Sequence, residues 1–301
     1  MPPSPQPRSL RPTLWRRTFA EFLGSAFLAA IVIGSGIAAQ RLSPRDIGLQ
    51  LFENAAATAV GLVAIVLTFG AASGAHFNPV VSLADRAFGG LSTADVIAYV
   101  PAQSIGCCAG AILANRMFHL PFVELSTKTR TGGGLWLAEV VATVGLLLVI
   151  FAVVRSGRPS IGPFAVGACI GGAYFWAAST SFANPAIVVG RTLSNTLAGI
   201  KPSSAPGFVA FQIVGLVLAV AIIKILYPDM NDAGEAAVVP AVSQPAQANW
   251  VGVPPIVVRH RRHQQTPTSG DAPHLADQLL HKAGPRVRGH VRLADHRAIR
   301  H

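Results

Sequence analysis

The chain has 301 residues, of which 51% are hydrophobic and only 12% are charged, and its mean hydropathy is +0.48. This composition is typical of a membrane protein with several spans and excludes an ordinary water-soluble globular domain. The formal net charge of +11 could indicate a nucleic-acid partner, but arginines precede the first apolar segment, where positive-inside placement explains them more simply. These residues are Arg8, Arg11, Arg16 and Arg17.

Six apolar segments are each long enough to cross a bilayer, which takes roughly 20 residues of helix. The first is interpreted as a retained anchor rather than a signal peptide, because its apolar core is too long and five more segments follow. Six spans put both termini on one side of the membrane, and the N-terminal arginines predict that this side is cytoplasmic. The predicted spans are Thr18–Gln40, Asn54–Ala72, Ala94–Leu113, Gly134–Val154, Ile161–Thr180 and Phe208–Tyr227.

Two short segments between these spans nearly repeat each other. They read Ser73-Gly-Ala-His76-Phe-Asn78-Pro79-Val80 and Ser181-Phe-Ala-Asn184-Pro185-Ala186. Asparagine is a preferred helix N-cap and proline is favoured at the first helical position, so both segments predict an abrupt helix start. Such a start leaves free N–H groups at membrane depth, which is tolerated only where the backbone lines a water-filled cavity. The pair of motifs therefore predicts a pore.

A glutamate lies just inside the first predicted span and another just inside the fourth. The separation between Glu21 and Glu139 is close to that between Asn78 and Asn184, which indicates an internal duplication with a shorter loop in the second copy. Three spans per copy is an odd number, so the second copy must be inverted in the membrane. Buried glutamates in spans are usually functional or paired. The alternative is that both side chains extend to the membrane surface.

With these motifs in place, the segment from Thr18 to Tyr227 resembles the major intrinsic proteins, the aquaporin and aquaglyceroporin family. The resemblance also includes Tyr99-Val-Pro-Ala-Gln103. It implies an all-α membrane fold with six transmembrane helices and two re-entrant half-helices, one pore per subunit, and usually a homotetramer. It further implies that Glu21 and Glu139 brace the re-entrant loops and that His76 lines the inner vestibule. No cofactor and no metal is implied.

Departures from the family pattern concern the pore constriction. The first motif ends in Val80 rather than alanine, and Ile187 stands where most members carry an arginine that narrows the outer constriction. Counting from the asparagines without gaps places the other constriction residues at Thr58, Gly172 and Ser181, which predicts a wide and weakly polar selectivity filter. Arg191 lies one helical turn beyond Ile187. It either lines the outer vestibule or is an ordinary cation at a helix end.

The resulting hypothesis is a passive channel for small uncharged solutes such as glycerol, arsenite as As(OH)3, related metalloids and water. The displaced position of the arginine resembles the pattern in bacterial aquaglyceroporin-like channels associated with arsenic resistance. One alternative is a mainly water-selective aquaporin. Another is a coupled secondary transporter, for which only His76 supplies a titratable group inside the pore. A nucleic-acid-binding protein lacks a supporting motif, and the absence of a catalytic constellation argues against an enzyme.

Three parts of the chain are distinguished by composition. A basic N-terminal segment (residues 1–17) precedes a channel domain (residues 18–228), and a C-terminal tail (residues 229–301) is rich in histidine and proline. The tail is predicted to be disordered and cytoplasmic; a metal-binding tail is the alternative, but tight ligand spacing is missing. The cysteines, Cys107, Cys108 and Cys169, lie in predicted spans and indicate neither a disulfide nor a metal site.

Overall fold

The computed structural model describes residues 12–228 of the chain. The predicted C-terminal tail, residues 229–301, and the basic N-terminal segment up to residue 11 lie outside the described residues. Two one-turn 3-10 helices, Pro159–Ile161 and Pro202–Ser204, accompany the α-helices. The α-helices of the described part are α1 (Leu14–Leu42), α2 (Ile47–Ser73), α3 (Pro79–Ala87), α4 (Thr93–Met117), α5 (Gly133–Arg155), α6 (Gly162–Trp176), α7 (Pro185–Arg191) and α8 (Ala205–Leu226).

The helices form two sets of four, and the third helix of each set is the short one. Helix α1 packs against α2 and α4, and α5 packs in the same way against α6 and α8. The short helix of each set crosses over, so that α3 contacts α8 and α7 contacts α4. Besides its short helix, each set has three further helices, an odd number, so the second set runs through the bundle in the opposite sense to the first. The described residues are helical without any β-strand, which confirms the predicted all-α architecture.

Among the described residues, five helices are long and apolar enough to cross a membrane: α1, α2, α4, α5 and the segment Pro202–Leu226 that contains α8. Helix α6 has only 15 residues. The predicted fifth span, Ile161–Thr180, is therefore wrong at its end, because the helix stops at Trp176. The chain then turns through Thr180 and Ser181, which both have positive φ angles.

Polar caps set the starts of two helices. Helix α2 begins at Ile47 rather than near Asn54, because the Asp46 carboxylate accepts a hydrogen bond from the Leu49 N–H at 2.9 Å. Helix α4 begins after Ser92, where Ser92 and Asp95 form a reciprocal capping box. Both starts are local effects of one or two residues.

Glycines allow α4 to approach α1 and α7 closely. A Cβ atom on Gly110 of α4 would overlap the Ala26 carbonyl oxygen of α1, and one on Gly190 of α7 would lie 2.7 Å from the Cys107 carbonyl oxygen of α4. Small residues at such contacts are the usual means of packing helices in a membrane, where no hydrophobic force drives them together. The close contact of α7 with α4 fixes the second half-helix in the bundle.

We call the end of the bundle that holds the start of α1 and the end of α8 the proximal end. The other end, which holds the α1–α2 turn and the loop between α4 and α5, is called the distal end. At the distal end, the last turn of α1 contacts the loop after α7: the Gln40 side-chain oxygen accepts a hydrogen bond from the Leu197 N–H at 2.8 Å.

Candidate functional site

The half-helices α3 and α7 both begin at an asparagine followed by proline. The Asn78 side-chain oxygen accepts a hydrogen bond from the Val80 N–H at 3.1 Å. The Asn184 side-chain oxygen accepts two, from Ala186 at 3.0 Å and from Ile187 at 3.2 Å. Both asparagines are N-caps in extended backbone conformation. The sequence prediction of two abrupt helix starts, at Pro79 and at Pro185, is confirmed.

The same two asparagines also hold the halves of the molecule together. The Asn78 amide nitrogen donates to the Ala183 carbonyl oxygen at 2.8 Å, and the Asn184 amide nitrogen donates to the Phe77 carbonyl oxygen at 2.8 Å. Each donation reaches the residue immediately before the other asparagine. The N-terminal ends of α3 and α7 therefore face each other, and their positive dipole ends point toward one region.

The backbone entering each half-helix is strained in the same way. Ala75 and Phe77 have φ angles of 52° and 48°, and Ser181 and Ala183, at the equivalent positions of the second motif, have φ angles of 50° and 46°. Left-handed conformations of residues other than glycine cost about 1–3 kcal/mol each, so they persist only where the surroundings fix them. The repeated strain points to a repeated anchor.

Glu21 is the anchor in the first half. Its side chain is fully buried and accepts hydrogen bonds from the His76 N–H at 3.0 Å and the Phe77 N–H at 2.7 Å. The Ser73 hydroxyl donates at 2.6 Å and the Gln103 amide at 2.8 Å. All four donors belong to buried residues, so the Glu21 carboxylate is held inside the bundle.

Glu139 repeats this arrangement in the second half with three donors. It is fully buried and accepts hydrogen bonds from the Phe182 N–H at 3.0 Å and the Ala183 N–H at 2.9 Å. The Gln212 amide donates at 2.6 Å. Sequence analysis did not assign a role to Gln103 or Gln212; the signal for them was a glutamine in the third long, apolar helix of each half.

A cavity of about 60 Å³ passes along the meeting point of the half-helices. A single water requires roughly 10–15 Å³ by this measure, so the cavity holds a few waters or one small solute. Both asparagine side chains reach its wall. Both halves contribute apolar side chains from their long helices to the wall, as Leu28, Val32, Leu62 and Val66 from the first and Leu146, Ile150, Val166 and Ile170 from the second.

Hydroxyl groups form a polar part of the same wall on the distal side. The Thr58 hydroxyl lies 3.2 Å from the Tyr174 hydroxyl, in hydrogen-bond contact. The Ser181 hydroxyl is buried and has no hydrogen-bond partner among residues 12–228. All three residues line the cavity. The unpartnered Ser181 hydroxyl is therefore available to a solute in the cavity.

Three of the four predicted filter residues, Thr58, Ser181 and Ile187, line the cavity, and Gly172 does not. Gly172 is exposed and borders a shallow groove on the outside of the bundle, between Phe52 and Phe175. Its prediction is corrected to Tyr174, which is two residues further along α6 and therefore on nearly the opposite side of the helix. The expectation of four small filter side chains is wrong at this position.

Arg191, at the end of α7, lies in the distal part of the cavity wall. Its side chain is only 2% exposed, and its guanidinium carbon lies 3.4 Å from the centre of the Phe182 ring. Its Nε donates to the Ala198 carbonyl oxygen. Of the two interpretations left open by the sequence, this position matches the vestibule rather than a cation at the membrane surface.

His76 occupies the corresponding place in the proximal half. It lines the cavity, and its Nδ1 lies 3.1 Å from the Ser82 hydroxyl. Its Nε2 lies 3.6 Å from a carboxylate oxygen of Asp85, which is buried near the end of α3. Asp85 was not singled out by the sequence, because its contact with His76 depends on the turn of α3.

Within residues 12–228, no group of three or more His, Cys, Asp or Glu side chains is arranged to hold a metal ion. The three cysteines are all free thiols, and Cys107 is fully buried. Its sulfur lies 3.6 Å from the Ser25 carbonyl oxygen, away from the cavity. The chemistry offered by the cavity is thus hydrogen bonding and shape.

Comparisons with known proteins agree with this geometry. Residues 8–178 match the family model described as "Major intrinsic protein". The chain is 46% identical over 211 residues to aquaglyceroporin AqpS of Rhizobium meliloti (strain 1021), which covers 70% of this chain and 90% of the relative. It is 30% identical over 228 residues to a glycerol uptake facilitator protein of Pseudomonas aeruginosa, which covers 65% of this chain and 80% of the relative.

A solved structure shares the fold. The X-ray structure of the aquaglyceroporin from Plasmodium falciparum superimposes with a TM-score of 0.54 and covers 73% of this chain and 99% of its own. Its sequence identity is 20%, so this likeness concerns the fold alone.

Proposed function

The chain belongs to the major intrinsic protein family, and we propose that it conducts glycerol, neutral metalloid hydroxides such as As(OH)3, and water. As a member of this family it is a multi-pass membrane channel rather than an enzyme. The names of the relatives support the first of these solutes. The cavity supports the class as a whole, because it offers hydrogen bonds without placing a carboxylate at its centre.

The observation that carries the proposal is the meeting of Asn78 and Asn184 in the wall of one cavity. Their oxygens cap α3 and α7, and one N–H of each amide donates across the repeat, so the second N–H of each amide is the donor left for the cavity. A solute hydroxyl or water oxygen can accept from such donors as it passes. The two positive helix ends at the same point repel cations, which restricts conduction to uncharged solutes.

The selectivity filter is proposed to consist of Thr58, Tyr174, Ser181 and Ile187. The hydroxyls of the first three lie on the cavity wall, while Ile187 adds an apolar surface. A polyol or As(OH)3 can present its oxygens to the hydroxyls and its remaining surface to the isoleucine. The arginine that the family pattern has at position 187 is missing here. Arg191, one turn further along α7, supplies the fixed cation instead.

A mainly water-selective channel is the second candidate, and one observation favours it. The cavity is small, at about 60 Å³, and Tyr174 adds an aromatic ring where the sequence predicted glycine. If this ring closes the filter, water passes and glycerol does not. The proposed roles of His76 in the proximal vestibule and of Glu21 and Glu139 as braces are common to both candidates.

We further propose that the protein is a homotetramer in the cell membrane with both termini in the cytoplasm. Large apolar side chains on the outside of the helices, such as Phe52, Val60 and Phe175, are suited to lipid or to a neighbouring subunit. The arginines before and in the first turn of α1 favour a cytoplasmic N-terminus by the positive-inside rule. Crosslinking in the membrane and protease access to each terminus test these two statements.

Flux into proteoliposomes tests the function. The purified full-length protein is reconstituted, and swelling is followed by stopped-flow light scattering in gradients of glycerol, urea and arsenite and in an impermeant osmolyte for water. We expect glycerol, arsenite and water fluxes above those of empty liposomes and unaffected by an imposed proton gradient. Water flux without glycerol or arsenite flux supports the water-selective candidate. Dependence on the proton gradient contradicts passive conduction.

A further inference from the structure

Three cations at the distal end of the pore bind three consecutive carbonyl groups of one loop. Lys128 donates from its ammonium to the Leu197 carbonyl oxygen at 3.0 Å. Arg130 donates from Nε to the Gly199 carbonyl oxygen at 3.0 Å and from a terminal nitrogen to Leu197 at 3.3 Å. Arg191 donates from Nε to Ala198, between them. The loop after α7 therefore gathers three positive charges around itself.

The two arginines share one aromatic ring. The guanidinium carbon of Arg191 lies 3.4 Å from the centre of the Phe182 ring, and that of Arg130 lies 5.2 Å from it. Phe182 lines the cavity together with Arg191. Adjacent carbonyls and a shared ring thus hold both guanidinium groups at the distal mouth of the pore.

These charges have no direct counter-ion among the described residues. No carboxylate of residues 12–228 lies within 4.0 Å of Lys128, Arg130 or Arg191. The buried Glu139 attracts both arginines at longer range, but its oxygens already accept three hydrogen bonds. Arg191 is buried and Arg130 is half-buried, and charges removed from water in this way without a paired anion are energetically costly, whereas Lys128 at the rim is exposed.

Repulsion among the three cations affects the pKa of Lys128 in the loop before α5. Partial burial lowers the pKa of the Lys128 ammonium, and the charges of Arg130 and Arg191 lower it further. Burial likewise lowers the pKa of the Arg130 guanidinium. Carbonyl dipoles reduce this cost but bring no negative charge. An anion bound at the distal mouth of the pore would offset the energetic cost of the unpaired cations.

Arg191 also retains unused donors. Its side chain is 2% exposed and lines the cavity, and the bond from Nε to Ala198 is the hydrogen bond that the described residues give it. The terminal nitrogens of a guanidinium carry four further N–H groups in a planar fork suited to oxygen pairs of an oxyanion. Those groups are placed beside the route of a solute.

We propose that Arg191 and Arg130, with Lys128 at the rim, form a binding site for a small oxyanion at the distal mouth, and that the bound anion obstructs the pore. The ligand class is a small tetrahedral or planar oxyanion that presents two oxygens to one guanidinium fork, with inorganic phosphate as the probe. The positive helix starts at the centre of the bundle are a different element and lie deeper. The obstruction rests on the proposed function, whereas the binding does not.

Two measurements test the site. Glycerol flux into proteoliposomes is recorded with phosphate on both sides, at an ionic strength kept constant with sodium chloride. We expect half-inhibition at about 1–10 mM phosphate, the range of a weak two-arginine site. In detergent, the melting temperature of the full-length protein is expected to rise with phosphate over the same range, because a ligand of the folded state stabilises it.

Matched variants assign the effect to these residues. Arg130→Gln and Lys128→Gln should each raise the half-inhibiting concentration at least about threefold, measured against the variant's own phosphate-free flux. Arg45→Gln, an exposed cation in the distal α1–α2 turn, should keep the response of the unmodified protein.

Absence of any phosphate effect on flux and on melting temperature overturns the proposal. An equal phosphate response in Arg130→Gln and Lys128→Gln also overturns it, because binding would then lie elsewhere. If no solute flux exceeds that of empty liposomes, the proposed function fails, and the melting temperature still decides whether the anion site exists.

Discussion

The two re-entrant segments have the same backbone and opposite chemistry. The left-handed conformations at positions 75 and 77 recur at positions 181 and 183, and a buried glutamate accepts two backbone N–H bonds in each case. Beside this shared frame, the proximal half places His76 against the carboxylate of Asp85, and the distal half places Phe182 against the guanidinium of Arg191. Counted from the asparagine of each half, the two pairs occupy the same positions of the repeat.

This comparison shows which positions carry the scaffold and which carry the chemistry of each mouth. The repeated asparagines and glutamates fix two half-helices, although the residues beside them differ between the halves. The unlike pairs then give one end of the pore an acidic partner and the other a basic one. The halves also differ in support, since Glu21 accepts four hydrogen bonds and Glu139 three.

The largest effect is expected from removing the anchor of a half. Glu21→Gln replaces an accepting oxygen by an amide that faces backbone N–H donors, and it should lower the free energy of unfolding by about 3 kcal/mol. Glu139→Gln should cost less, at about 2 kcal/mol, because one donor fewer is involved. Melting temperatures in detergent measure both. Glu53→Gln, whose side chain accepts a single bond from Ser43, is the control. A greater loss in Glu139→Gln would contradict the ranking.

Ile187→Arg should make the distal filter more like the usual family pattern. A second guanidinium one turn before Arg191 fills part of a small cavity, so glycerol flux should fall by about tenfold or more while water flux falls less. Stopped-flow measurements on the same liposomes give the ratio. Val189→Arg places the same charge on the exposed side of α7 and should leave the ratio unchanged. An unaltered ratio in Ile187→Arg would show that residue 187 does not face the permeating solute.

Tyr99→Phe makes the first half resemble the second. The Tyr99 hydroxyl donates to the Ser73 carbonyl oxygen at 2.9 Å. Phe208 stands at the equivalent position of the second half, one turn before its buried glutamine, and has no hydroxyl. Losing one buried hydrogen bond should lower the free energy of unfolding by about 1 kcal/mol. Thermal unfolding in detergent is the measurement, with Tyr227→Phe as the matched control. A change no larger than that of the control would mean that this bond does not distinguish the halves.

The smallest effect separates the corrected filter residue from the predicted one. Tyr174→Phe removes the hydroxyl that contacts Thr58 and should change the ratio of glycerol to water flux by about twofold. Gly172→Ala lies outside the cavity and should not change it. The opposite pattern, a shift with Gly172→Ala and none with Tyr174→Phe, would restore the original prediction.

Much of this frame could be predicted from the sequence, because its signals are local. Asn78-Pro79 and Asn184-Pro185 specify their helix starts through adjacent residues, and apolar segments of sufficient length indicate the spans. Glu21 and Glu139 stand out as acidic residues in apolar surroundings. The similar spacing of these two pairs was enough to indicate a duplication.

The details of the distal mouth depend on long-range geometry. The side of α6 that faces the cavity is set by the end of that helix at Trp176 and by the turn through Thr180 and Ser181, so a gap-free count from Asn184 reached Gly172 instead of Tyr174. Arg130 comes from another loop and meets Phe182 only in the folded chain. A single sequence contains no local signal for such a contact.

The central claim is that the two asparagines hold the pore open to neutral solutes by donating across the repeat. Asn184→Asp tests it most directly, because aspartate keeps the capping oxygen but replaces the donor to the Phe77 carbonyl by a second acceptor. With unchanged incorporation into liposomes, glycerol flux should fall by about tenfold or more, while Asn195→Asp in the distal loop should conduct normally. Glycerol flux in Asn184→Asp equal to that of the unmodified protein would contradict the account.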